Sequence, residues 1–333
     1  MPKGFFTQSA CVLLSNATSL DAIAPLLSEF SIAKRVDQAV APELSGPTLI
    51  LAFRPNVNGY VQVDVRNKAW PDHMGDPKTE GMLFAAWTMG HYGPFAFPGG
   101  LRRAQEQLWA WPEGKELVER HTAMVHVSTS YIFGAAENAP VMPADCDPMA
   151  EIRFVTRIAL ALLKHPDALA YFNANGEILA DEKVLRKSLE LHEQHEQPPL
   201  DIWANIRVLN PNNGWMIMDT VGMEQLDRPD LEACFPSKAY DLGMVASFLR
   251  NCSLYLLKNG EVIKHKDTMD GPGGINWQAH HVEKELCAPP RRLLRWFPMD
   301  GSQAPPEMRG QESKPSLGQR LGRFFGKKPN PKG

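Results

Sequence analysis

The chain lacks most of the features that would name an enzyme from sequence. Its five cysteines, Cys11, Cys146, Cys234, Cys252 and Cys287, are dispersed and form no Cys-x-x-Cys pair. That excludes a zinc ribbon, a thioredoxin-type centre and a disulfide-dense secreted scaffold, and predicts reduced thiols in the cytoplasm. No Gly-x-Ser-x-Gly elbow and no Walker loop occurs. Gly271-Pro272-Gly273-Gly274 lacks the following helix and lysine that phosphate binding needs. No apolar run approaches the roughly eighteen residues of a membrane span.

Charge of one sign is also scarce overall, at a net −3 over 333 residues, but it is unevenly spread. From Gly301 onward seven Lys/Arg stand against two acids, a net of +5, so the first 300 residues carry −8. An acidic body argues against nucleic acid as a partner, because that binding is driven by phosphate neutralisation.

What is present reads as an α+β protein. The pattern predicts mixed, largely antiparallel sheets with packed helices and a disordered C-terminal tail, with two similar lobes as an open alternative. Strands are expected at Phe5–Leu14, Thr48–Phe53, Tyr60–Val65, Thr122–Tyr131, Ile202–Leu209 and Trp215–Val221, with Ile275–Glu283 closing the sheet. Helices are expected from Thr18 or Ser19 through Phe30, at Leu101–Arg120, from Asp147 to His165, at Asp181–His195 and at Ser237–Arg250. Asn259-Gly260 predicts a hairpin joining Leu254–Leu257 to Glu261–His265. The expected divisions are an N-terminal lobe 1–133, a linker 134–147, a C-terminal lobe 148–300 and a basic tail 301–333.

One internal echo stands out. Asn58-Gly59-Tyr60, with Asp64 five residues beyond the glycine, recurs as Asn213-Gly214-Trp215 with Asp219, at an offset of 155. Coincidence between two common hairpins and duplication of a lobe are both open readings.

The segment Trp70–Ala104 is the richest in special residues. Six glycines, four prolines, six aromatics and two histidines fall within it. A long connection of this kind is either a functional loop or an elaborately packed one. Trp70, Asp72, His73, Trp87, His91, Tyr92, Phe95 and Arg102 are its candidate ligand- or partner-binding residues, with Phe97 as a further aromatic wall. An alternative reading places a metal-dependent hydrolase site at Asp72, His73, Asp76 and His91, since imidazole and carboxylate suit zinc, manganese or iron. The spacing matches no metal motif, so no metal or cofactor is expected. His192 and His195 fit a solvated helix end, and His126, in an apolar strand, fits a hydrogen-bonded core histidine. In the tail, Leu317, Leu321, Phe324 and Phe325 share a helical face flanked by Arg320, Arg323 and Lys327. That face suits weak docking on an anionic membrane or a partner groove.

From Asp201 to about Glu283 the chain resembles a bacterial family of unknown function, the four-two-six-one domain family. The matching residues are the strand Ile202–Leu209, Asn213-Gly214-Trp215, the run Thr220-Val221-Gly222-Met223-Glu224-Gln225-Leu226-Asp227-Arg228-Pro229-Asp230-Leu231-Glu232, the helix to Arg250, and Leu256 to Ile263. The pattern Thr220-x-Gly222 followed by Pro229-Asp230-Leu231-Glu232 also looks like one in bacterial immunity and accessory proteins encoded near toxins. The resemblance implies a bacterial cytosolic α+β protein with no assigned catalytic residues. The function expected is therefore non-catalytic binding of a protein partner, as an accessory or immunity protein of a toxin or secretion system.

Overall fold

A computed structural model describes residues 4–38, 45–109, 111–133 and 140–309. The tail residues Leu317, Leu321, Phe324 and Phe325, and part of the expected linker, lie outside the described residues.

The chain opens with β1 (Gln8–Leu14), buried along its whole length. Ser19 caps α1 (Leu20–Ile23) by accepting the Ala22 N–H. Pro25 then turns the continuation into a 3-10 helix over Ala24–Leu27, because a proline inside the helix would lack its N–H and clash with the preceding turn. The helix expected through Phe30 is shorter for that reason. Next come β2 (Ile32–Val36), β3 (Thr48–Arg54) and β4 (Gly59–Arg66). The long connection that follows carries α2 (Gly81–Thr88), α3 (Gly100–Glu106) and α4 (Gly114–Glu119) before β5 (Ala123–Ser130). The single helix expected over Leu101–Arg120 is thus two, separated by a stretch containing Pro112.

Asp147 caps α5 (Pro148–Leu162), accepting the N–H groups of Met149 and Ala150. Then follow β6 (Ala168–Asn173), β7 (Ile178–Ala180) and α6 (Glu182–Gln194). The remainder comprises β8 (Asn205–Leu209), β9 (Trp215–Val221), β10 (Asp230–Pro236), α7 (Leu242–Asn259), β11 (Thr268–Gly271), β12 (Ile275–Val282), β13 (Leu293–Pro298) and α8 (Pro306–Arg309).

The hairpin expected at Asn259-Gly260 does not form. α7 runs through Asn259, and Gly260 ends it with φ +81° and an N–H to the Leu256 carbonyl at 2.9 Å. Helix C-termini and type I′ turns draw on the same left-handed tolerance of Asn and Gly.

The strands form two sheets. The first has the order β2-β3-β4-β5-β1-β6-β7 and is antiparallel throughout. The second has the order β11-β12-β13-β10-β9-β8, with one parallel pair, β10·β13. β12 is therefore flanked on both sides, and β11 forms the edge that Ile275–Glu283 was expected to close. β6 and β7 complete the first sheet, so the sheets divide the chain later than the expected boundary at residues 134–147.

Side-chain alternation gives the first sheet two buried faces. On one, Val12, Leu14, Val61, Val63, Val125 and Val127 meet the apolar stripe of α5 (Ile152, Val155, Ile158 and Leu162). On the other, Cys11, Leu13, Met124 and Phe172 meet Trp70, Trp87, Tyr92, Leu101 and Val118 of the long connection. In the second sheet, Leu231, Ala233, Phe235, Trp277 and Trp296 pack on α7.

The sheets meet at Trp203, Gly176 and Gly222. Gly222 has φ +121°, and a Cβ there would lie 2.6 Å from the Trp203 carbonyl oxygen. Gln225 ties the join together, donating to the Trp203 carbonyl at 2.6 Å and accepting from Asn173 at 3.2 Å.

Candidate functional site

The two echoing hairpins place Asp64 on β4 and Asp219 on β9, each in a row of side chains that crosses its sheet. In the second sheet the register sets Arg207 opposite Asp219, Asp219 opposite Glu232, and Glu232 opposite Arg295. All four are buried. Arg207 holds Asp219 through two bonds, of 2.9 and 2.6 Å, and Arg291 adds a third at 2.5 Å. Glu177 accepts from Arg207 at 3.1 Å and from Arg103 at 2.7 Å, which links α3 to the second sheet. Arg295 pairs with Glu232. Every charge in that row has an opposite charge in contact.

The first sheet carries a different row. Thr48, Asp64, His126, Cys11 and Phe172 lie opposite one another in turn across five strands. Asp64 accepts the Gly46 N–H at 2.6 Å and the Thr48 hydroxyl at 3.2 Å on one oxygen, and Arg66 Nε at 2.7 Å on the other. Burial pushes the Asp64 carboxyl up and the Arg66 charge pulls it back. From the covering connection, His91 touches Arg66 Nη2 through its Nε2. A guanidinium can only donate, so that nitrogen is the acceptor. Tyr92 lies beside it, with its hydroxyl 3.4 Å from Arg66 Nη1.

His126 is 1% exposed, and neither of its ring nitrogens has a hydrogen-bond partner. Its ring centroid is 5.6 Å from that of His91. Burial, reinforced by the Arg66 charge, holds its pKa well below the ordinary value, so it is neutral. Buried polar atoms are almost always paired, so this histidine differs from the hydrogen-bonded core residue the sequence led us to expect.

Beside this cluster lies a cleft of about 650 Å³. Its walls are Ser45–Pro47, the end of β4 with Asn67 and Lys68, and Thr79–Leu83; Arg66 and Tyr92 lie at its base. The volume is in the range of ligand pockets.

The sequence-derived candidates divide. His91 and Tyr92 come to the cluster. Trp70 and Trp87 are interior residues, 5% and 6% exposed. Trp70 packs edge-on against Trp87, Tyr92 and Phe172, with ring centroids 5.9, 5.2 and 5.0 Å away. They are core aromatics rather than a binding surface, because this connection must cover a whole sheet face.

Asp72 accepts the Leu101 and Arg102 N–H groups at 2.9 and 3.0 Å and so secures the start of α3. His73 reaches Glu80 at 3.2 Å, and Asp76 accepts the Lys78 N–H at 2.7 Å in a turn. Arg102 is exposed and pairs with Glu106, while Phe95 is half-buried and donates its N–H to Asn175. Asp72, His73, Asp76 and His91 therefore do not assemble a metal site. Among the described residues, the one group of three that could share an ion is Asp64, His91 and His126. Asp64 and Arg66 were missed because their strand reads as an ordinary polar-apolar alternation. The signal that could have found them was Asp64 itself, repeated as Asp219.

The fold and site together define a mixed α+β protein of two sheets, with a buried polar cluster under a cleft on the first. No described helix is long and apolar enough to cross a membrane. Residues 219–297 match the model of a domain-of-unknown-function family, DUF4261. That segment runs from Asp219 to β13 and holds Glu232 and Arg295 of the fully paired row; the cleft and the His126 cluster lie outside it. No curated protein and no solved structure matches the chain.

Proposed function

We propose that the chain is a non-catalytic binding protein whose receptor is the cleft between β4 and the start of α2. The carrying observation is the cleft itself, formed where the Trp70–Ala104 connection closes over β4, with Arg66 at its base. Lys68 and Glu80 are the charged residues of its wall, and Arg66 is already paired with Asp64. The ligand we propose for it is a segment of a partner protein. The setting we propose is a bacterial cytoplasm, with the protein an accessory or immunity partner of a toxin or secretion system. The pattern from Thr220 to Glu232 and the acidic body support that reading, and the absence of a charge excess for phosphate supports a protein over a nucleic acid.

A metal-dependent hydrolase built on Asp72, His73, Asp76 and His91 has no geometric support, since the first three are engaged in turns and caps. The binding reading is tested by a photo-crosslinking residue at Met82, on the cleft wall, against one at Met244, exposed at the start of α7. The expected result is one defined cross-linked partner from Met82 and none from Met244. Equal capture at both positions, or none at either, would overturn it.

A further inference from the structure

The geometry points to a divalent transition-metal site formed by Asp64, His91 and His126, unrelated to the set the sequence suggested apart from His91. One ligand atom from each of the three lies within 4.8 Å of the others, and all three residues are buried. Two imidazoles and a carboxylate are the donor set of zinc and of non-haem iron(II).

Three features support the assignment. His126 is interior with both ring nitrogens unpartnered, which is costly for a polar group unless something else binds it. The ligands come from stiff supports: Asp64 and His126 are opposite neighbours on β4 and β5. His91 is held from the connection by its N–H to the Ala86 carbonyl at 2.9 Å and by an edge-to-face contact with Phe6, ring centroids 5.2 Å apart. The carboxylate is also oriented from behind, by the Gly46 N–H and the Thr48 hydroxyl, as ligating carboxylates usually are.

Arg66 is the gate. It donates to Asp64 and to His91, so it holds the lone pairs a metal would take. It also lines the cleft, so its guanidinium can turn toward solvent when an ion enters. Metal and Arg66 therefore compete for one set of donors. The inference stands independently of whether the cleft takes a protein partner.

The test uses the full chain without a polyhistidine tag, stripped of metal and then equilibrated with Zn²⁺ or Co²⁺. Metal content after gel filtration and the visible absorption of the Co²⁺ form are the readouts. The expected result is one retained equivalent, with imidazole ligation in the Co²⁺ spectrum. His126→Gln should weaken binding at least about tenfold, the scale on which even outer-shell changes act, and Arg66→Met should tighten it. Circular dichroism checks that each variant is folded; if His126→Gln is not, His91→Gln gives the same reading. No retained metal in the wild type, or retention unchanged by loss of a folded variant's histidine, would overturn the site.

Discussion

Asp64 and Asp219 occupy matching places in two Asn-Gly hairpins, yet their surroundings differ in kind. Around Asp219 the row reads Arg207, Asp219, Glu232, Arg295, two cations and two anions, with Arg291 and Glu177 joining from outside the row. Around Asp64 it reads Thr48, Asp64, His126, Cys11, with one arginine beside it and an unpartnered imidazole. The connections differ in the same sense. Residues 222–229 link β9 to β10 through a single 3-10 turn, whereas 67–122 link β4 to β5 through three helices. A buried ionic row whose charges all pair serves to hold a fold together. One that leaves a polar donor set incomplete and is roofed by a long connection has the makings of a site. The same hairpin thus supports a structural row in one sheet and a candidate site in the other.

The sharpest way to break this comparison is to remove the two aspartates in turn. Asp219→Ala leaves Arg207 with only Glu177 and leaves Arg291 without its 2.5 Å partner, both in the interior. Breaking a buried pair from one side costs about 3–5 kcal/mol, and urea unfolding should show a loss of that order. Asp64→Ala should cost clearly less, because Arg66 borders the cleft and can turn toward solvent. Equal losses would mean that the first row is as structural as the second.

How far the sequence shows these features depends on how local each signal is. Asp147 and Asp181 were readable as helix starts because a cap and its apolar stripe lie within a few residues. α7 was misread at Asn259-Gly260 because helix ends and hairpin turns share their residue chemistry. Trp70 and Trp87 were legible as unusual but not as buried, since the need to cover a seven-stranded sheet is set by β1, β5 and β6, each distant from them in sequence. The His126 cluster is the extreme case. His126, Asp64 and Cys11 are joined only by strand register, and His91 arrives from the covering connection. The recurrence of Asp64 as Asp219 was the one part of it written in the sequence.

The second prediction concerns acid. His126 faces Arg66 and Asp64 on β4, His91 and Tyr92 on the covering connection, and Cys11 on β1. Burial and the Arg66 charge depress its pKa in the fold, while the unfolded chain titrates near 6.5. Below that value the unfolded state binds a proton that the folded state refuses. Metal-free protein should therefore lose stability as pH falls below about 6.5, by up to about 1.4 kcal/mol per pH unit from this group. His126→Phe should flatten that slope, and chemical denaturation across pH 5 to 7 measures the difference. Superimposable slopes for the two proteins would show that His126 is not held neutral.

The smallest effect tests the two connections themselves. Gly81 begins α2 on the cleft wall, and a Cβ there would meet nothing within 4 Å. Gly222, in the short connection, would drive a Cβ to 2.6 Å from the Trp203 carbonyl oxygen and 2.8 Å from Gly176 Cα, at a positive φ that disfavours any side chain. An alanine that fits its backbone stabilises by about 0.4–1 kcal/mol, mainly by restricting the unfolded chain. Gly81→Ala should therefore raise the melting temperature slightly and leave metal binding unchanged. A loss of stability at Gly81 would mean that the long connection is packed as tightly as the short one, and the contrast between a roomy roof and a closed joint would fail.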